Sequence, residues 1–246
     1  MRILILTCLL LFTFVGFSQQ EQIWLHPNRG QWHSNIVYKV ELNGGEMYLE
    51  NQGFTYAFHN ASEIYHASHE VKNDNHLHEQ LAGHAIKSSF IGANVAAQKI
   101  ESEPSTNYRN YFLGNNQSKW KSLIYSLKKV VYKDFYPAID MQVEGNGSNV
   151  EYSFIVAPGK DVSQIRMKIE GANSVFIDSE GNLHTTHSFG EIIHSAPKAW
   201  NIDDNGKKSV VKIAFQLKDN VVGYIFPKDY NRNQTLVIDP ELTFST

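Results

Sequence analysis

Across residues 210–217 apolar and polar positions alternate. Val211, Ile213, Phe215 and Leu217 share one parity, and Lys212, Ala214 and Gln216 the other. That period of two predicts one strand with a single buried face, because successive side chains leave opposite sides of an extended backbone. Earlier in the chain, segments 36–42, 46–50 and 54–58 are rich in Tyr, Val and Phe. They are separated by Asn43-Gly44-Gly45 and Asn51-Gln52-Gly53, which predicts a three-strand meander. Segments 138–144 and 150–156 flank the turn 145–149 and predict a hairpin. The scheme repeats at 174–178 with 183–187, at 198–202 with 209–218, and at 221–226. Only two short windows look helical, 104–111 and 162–165, the latter following Pro158-Gly159. The pattern predicts an all-β chain, an antiparallel β-sandwich or two packed sheets built from meanders and hairpins, with one or two short helices.

Two regions depart from this pattern. Met1-Arg2 precedes an apolar run over 3–17, broken only by Thr7, Cys8, Thr13 and Gly16, and Gly16 and Ser18 supply small residues ahead of Gln19. That predicts a signal peptide over 1–18, too short for a comfortable span and ending at a cleavage site. A single domain over 19–246 then remains, exported to the cell surface or the medium. Cys8, the chain's only cysteine, leaves with the leader. The mature chain would have no disulfide, thiolate nucleophile or Cys-ligated zinc. The second departure is the polar stretch 59–83, which reads as a long surface loop.

Charge narrows the function classes. The chain has 22 basic and 25 acidic residues, a net charge of −3. No basic stripe suggests nucleic acid, and no second apolar run is long enough to span a membrane once the leader is removed.

Candidate chemistry is sparse. His66, His69, His76 and His78 sit in the polar loop among carboxylates, and imidazole with carboxylate suits divalent transition metals. Their spacing fits no zinc pattern and the stretch offers no rigid frame, so a solvated loop is the favoured reading and no cofactor is expected. His184, His187, Glu191 and His194 resemble a metallopeptidase motif only superficially. In an extended strand His184 and His187 point to opposite faces and cannot chelate together. Asp140, Glu144 and Glu151 fall on neighbouring strands, but facing strands bring carboxylates this close by chance. No nucleophile elbow, P-loop or dinucleotide fingerprint occurs. Of the four tryptophans, Trp32 and Trp120 stand among polar residues and are the candidate glycan contacts.

Several blocks taken in order carry a resemblance: "NRGQWHSNIVYKVELNGGEMYLENQGFTYAF", "HAIKSSFIGAN", "NYFLGNNQSKW", "VVYKDFYPAIDMQVEGNGSNVEYSFIVAPGKDVSQIRMKIEGA", "GNLHTTHSFGEIIHSAPKAW" and "LVIDPELTFST". From about Trp24 to Thr246 the chain resembles an uncharacterised N-terminal β-domain of large bacterial surface and secreted proteins. In many of those, β-propeller-type (SBBP) repeats follow. The resemblance implies export and a scaffold or interaction role, with no catalytic residues to carry over. Partners would be downstream propeller or other surface modules, and protein or glycan ligands. Residues 236–246 then read either as an exit strand toward such a module or as a strand closing the domain's own sheet. An unpaired strand there would be an aggregation liability.

Overall fold

The structure, a computed structural model, describes residues 22–60, 82–227 and 230–245. The predicted signal peptide and most of the histidine-rich loop, with His66, His69, His76 and His78, lie outside the described residues. The rest is almost entirely antiparallel strand, as the alternation predicts. The meander comes first: β1 (Leu25–Pro27), β2 (Tyr38–Leu42), β3 (Gly45–Leu49), β4 (Gly53–His59) and β5 (Gly83–Phe90). The β2–β3 turn is Asn43-Gly44, and Gly44 takes a φ of +79° that a Cβ would strain. Two long strands and a hairpin follow: β6 (Gln98–Tyr111), β7 (Lys121–Tyr136), β8 (Ile139–Asn146) and β9 (Asn149–Val156). The remainder is short: β10 (Met167–Glu170), β11 (Ser174–Ile177), β12 (Leu183–His187), β13 (Gly190–His194), β14 (Lys198–Ile202), β15 (Lys208–Val211), β16 (Ala214–Lys218), β17 (Val221–Ile225), β18 (Thr235–Asp239) and β19 (Glu241–Ser245).

β7 is the junction. β6 runs along one of its edges, while β8 and then β1 share the other. From β1 one wing continues through β2, β3, β4, β5 and β10 to β17 and β16. From β8 the other wing passes to β9, whose far edge is divided between β18 and β19. β18 leads on to β14 and β15, and β19 to β13, β12 and β11. The wings fold face to face into a nearly closed, barrel-like body. Across the interior Phe54 meets Tyr152 at 5.7 Å between ring centroids, Phe90 meets Phe154 at 5.5 Å, and Tyr56 meets Phe244 at 5.9 Å. Each such ring, removed from water, stabilises the fold by about 1.5–3 kcal/mol.

Two expectations need correction. Residues 104–111 are not helical but form the distal part of β6, because pairing with β7 supplies ladder hydrogen bonds that a single helical turn cannot match. The alternation over 210–217 is real, with Val211 and Phe215 buried, yet the segment is two strands. It breaks at Lys212-Ile213, where β15 leaves β14 and β16 turns to β17. The other helical window, 162–165, holds one 3₁₀ turn over Val162–Gln164, whose Ser163 amide is capped by the Asp161 carboxylate. A second 3₁₀ turn covers Gln117–Lys119. The last described strand, β19, pairs with β13 over Leu242–Ser245 on one side and with β9 at Glu241 and Leu242 on the other, so it is built into this body's own sheet.

Candidate functional site: the β6–β7 arm

β6 and β7 are 14 and 16 residues long. Their basal halves pair regularly from Gln98↔Lys133 to Ser102↔Lys129. The register then shifts between Pro104 and Tyr108, where Pro104 has no N–H to contribute. Beyond the shift, Tyr108 faces Tyr125 and Tyr111 faces Lys121. A second shift falls between Arg109 and Tyr111. A non-glycine residue beside each shift occupies the left-handed region, Glu103 at φ +54° at the first and Leu123 at φ +58° opposite the second. The Leu123 amide donates to the Asn110 side-chain oxygen at 3.0 Å, which fixes that conformation.

The distal arm has two faces. The inner one is docked on β1 and β2 and the loop between them. Tyr111 meets Trp32 edge-on at 5.1 Å, Arg109 donates to Glu41 at 2.7 Å, and Ser126 is hydrogen-bonded to His26 Nδ1 at 2.7 Å. Among the described residues nothing covers the outer face. Tyr108 and Tyr125 pair at 6.1 Å, Phe112 and Trp120 at 5.5 Å, and Leu123 and Leu113 complete the surface. Phe112 and Leu123 are each 60% exposed. An open cleft of about 450 Å³ adjoins this face at the register shift, lined by Leu123, Tyr125, Pro104, Ser105, Arg29 and Glu101.

Ser126, His26 and Glu41 follow one another as a hydrolytic triad would, but the geometry argues structure. His26 Nε2 lies 3.8 Å from the Glu41 carboxylate, beyond hydrogen-bond reach, and Glu41 is instead engaged by Arg109. Burial, reinforced by the Arg109 charge, pushes the His26 pKa down to about 4. Burial opposes ionisation of Glu41 too, but the Arg109 hydrogen bond and charge hold its carboxyl below the usual range. Ser126 is buried, so a substrate carbonyl has no approach. These groups anchor the arm.

Residues 25–241 match the family model described as Domain of unknown function (DUF7948). The chain belongs to this family. No curated protein and no solved structure matches it. The DUF7948 match takes in the whole arm and both wings up to the first residue of β19, and names no reaction.

Within this DUF7948 chain the other candidates resolve into local structure. Trp32 and Trp120 both reach the arm but on opposite faces, Trp32 beneath Tyr111 and Trp120 at the tip beside Phe112, so they form no common platform. His184 and His187 do point to opposite faces of β12. The Glu191 and Asp178 carboxylates each take one nitrogen of His184, at 2.8 and 3.0 Å. The Glu191 hydrogen bond, with Asp178 in support, outweighs partial burial and raises the His184 pKa. In return the His184 and Asn182 hydrogen bonds hold Asp178 far below the usual carboxylate range. His187 stacks on Phe58 at 3.8 Å, and His194 is hydrogen-bonded to Tyr152 at 3.0 Å. Asp140 is paired with Lys133, Glu144 with Lys128, and Glu151 accepts from Asn146. His84 hydrogen-bonds Ser188 at 2.9 Å and the Gly171 carbonyl at 2.7 Å, a dyad lying exposed on the surface. Among the described residues no three His, Cys, Asp or Glu side chains converge on a metal position.

The outer-face residues Tyr108, Phe112, Leu113, Leu123 and Tyr125 escape a period-two reading. For Leu123 and Tyr125 the signal was the run 123–127, where apolar residues occupy both parities. Such a strand normally sits between two layers. Here the described residues supply only one of those layers.

Proposed function

We propose that this chain is a non-catalytic interaction domain of an exported bacterial protein, acting at the cell surface or in the medium, with the outer face of the β6–β7 arm as its contact surface. One observation carries the reading: a docked, rigid hairpin leaves Tyr108, Phe112, Leu123 and Tyr125 together on its solvent side. Isolated exposed apolar residues are ordinary, but a contiguous patch on an ordered element marks an interaction site. The apolar run at 3–17 supports export. The resemblance to N-terminal domains that precede propeller repeats supports a scaffold role beside other surface modules.

The test is a pair of substitutions, Tyr108→Ser and Leu123→Ser, made together in the producing cell. Export to the cell surface should persist and the melting temperature should stay close to that of the parent. Retention of the protein at the surface should fall. Unchanged retention would remove the arm as the contact surface. Accumulation of the parent protein in the cytoplasm would remove the exported role.

A further inference from the structure

We propose that the tip of the β6–β7 arm docks onto the surface of an anionic lipid bilayer. The inference rests on the arm being the contact surface and supplies its partner. The first observation is chemical. Large hydrocarbon side chains stand in water at and near the tip: Phe112 at 60%, Leu123 at 60% and Leu113 at 49% exposed. Leucines carry no group to meet a sugar hydroxyl, so a polysaccharide laid here would leave its hydroxyls unpaired, whereas acyl chains would not. Trp120 and the Tyr108–Tyr125 pair flank these residues, and such amphipathic rings favour the headgroup level.

Polar satisfaction points the same way. Trp120 Nε1 donates to the Gly114 carbonyl at 3.1 Å, its backbone N–H to the Gln117 carbonyl at 3.0 Å, and the Lys119 N–H to the Asn116 carbonyl at 3.1 Å. The Asn116 side-chain oxygen accepts from both the amide and the hydroxyl of Ser118. These donors are closed on one another, so the turn can leave water without stranding them.

Charge gives the direction of approach. Residues 104–127 contain Arg109, Lys119 and Lys121 and no carboxylate, in a chain of net charge −3; Arg109 is paired with Glu41, so Lys119 and Lys121 make the tip positive. An anionic surface attracts the arm and repels the body, which presents the tip first. The inner-face anchors, Arg109 with Glu41 and Tyr111 with Trp32, keep the arm from folding back over its own apolar side.

The experiment is cosedimentation of the purified full chain with phosphatidylglycerol-containing vesicles, against pure phosphatidylcholine and against polygalacturonate as an acidic glycan. Binding is expected to the anionic vesicles, to weaken as salt is raised, and to bring quenching by brominated acyl chains that disappears in Trp120→Phe. Phe112→Ser with Leu113→Ser should weaken it about tenfold or more, and Lys119→Gln about fivefold. Val210→Ser, which removes an even more exposed apolar residue on β15, should leave it unchanged. Vesicle binding insensitive to the tip substitutions would overturn the proposal, as would no vesicle binding at all. Loss of surface retention in Tyr108→Ser/Leu123→Ser cells without vesicle binding would overturn the lipid partner alone. Polygalacturonate binding that depends on the arm would then identify a glycan partner. Neither vesicle binding nor arm-dependent surface retention would overturn both readings.

Discussion

The interior between the two wings and the outer face of the arm are made of the same residues. Phe54, Tyr56, Phe90, Tyr152 and Phe154 line the first, and Tyr108, Phe112, Trp120 and Tyr125 the second, in both cases as edge-to-face or tilted rings about 5–6.5 Å apart. In the first every ring is covered by the facing wing. In the second no described residue covers them. Aromatic pairing on a strand therefore does not distinguish a core from a contact surface; the presence of an opposing layer does. The histidines sharpen the contrast. His187 and His194 are buried in the body and His26 at the arm's inner face, while the outer face has no histidine.

Acid should separate the regions most strongly. Burial lowers the pKa of His26 to about 4, of His187 to about 4 with help from His84, and of His194 to about 3. The unfolded chain takes up those protons near pH 6.5, and the folded chain only near pH 3–4. Stability is therefore full above about pH 6.5 and falls as pH drops toward 4, on the order of several kcal/mol in all. His184 has the opposite sign. Its raised pKa adds stability at low pH that is lost as pH rises through it, but it is one partly exposed group against three buried ones. Melting temperature measured from pH 8 to pH 4 should be flat and then drop, and His187→Phe should make the drop shallower. A profile that is flat throughout would show that these rings are not held neutral in the fold.

Truncation divides the regions next. Phe54 is fully buried against Tyr56, Phe90 and Tyr152. Phe54→Ala should lower stability by about 3–5 kcal/mol, from lost burial and the cavity left behind. Phe112→Ala removes a ring of similar size that is 60% exposed and touches Trp120, and should cost less than about 1 kcal/mol. Denaturant midpoints on the two variants read this directly. Equal losses would mean that the outer face is already covered, and the contrast would fail.

Much of the body was legible because its strands obey one local rule. Where one face is buried, as in β2, β3 and β8, alternation places each side chain inside or outside, and Gly44 marks the turn between β2 and β3. The split at Lys212-Ile213 was not legible, because alternation continues across a change of partner strand. The division of the β9 edge between β18 and β19 was hidden likewise, since pairing over such separations leaves no local mark. The arm was misread for a related reason. Residues 104–111 hold Pro104, Asn107 and Asn110, poor strand formers in isolation, and become a strand only against β7. Trp120 was legible as an aromatic among polar residues. Its neighbours Phe112 and Leu123 were not, because apolar residues next to one another in sequence normally announce a core.

The smallest effect is the one that bears on why the arm has its shape. Leu123 is a bulky residue at φ +58°, a conformation that costs a residue with a Cβ about 1–2 kcal/mol. Its side chain is 60% exposed, so little burial offsets that cost. Glycine adopts the same φ freely but is about 0.5–1 kcal/mol more costly to order. Leu123→Gly should therefore stabilise the fold by up to about 1 kcal/mol, seen as a small rise in melting temperature. A core strand would respond in the opposite sense, losing a packed leucine. If the same variant holds its stability while surface retention or vesicle binding falls, the strain at Leu123 is maintained for contact, since stability alone would favour glycine. If Leu123→Gly is destabilising by more than about 1 kcal/mol, the side chain is packed and the outer face is a core in its own right.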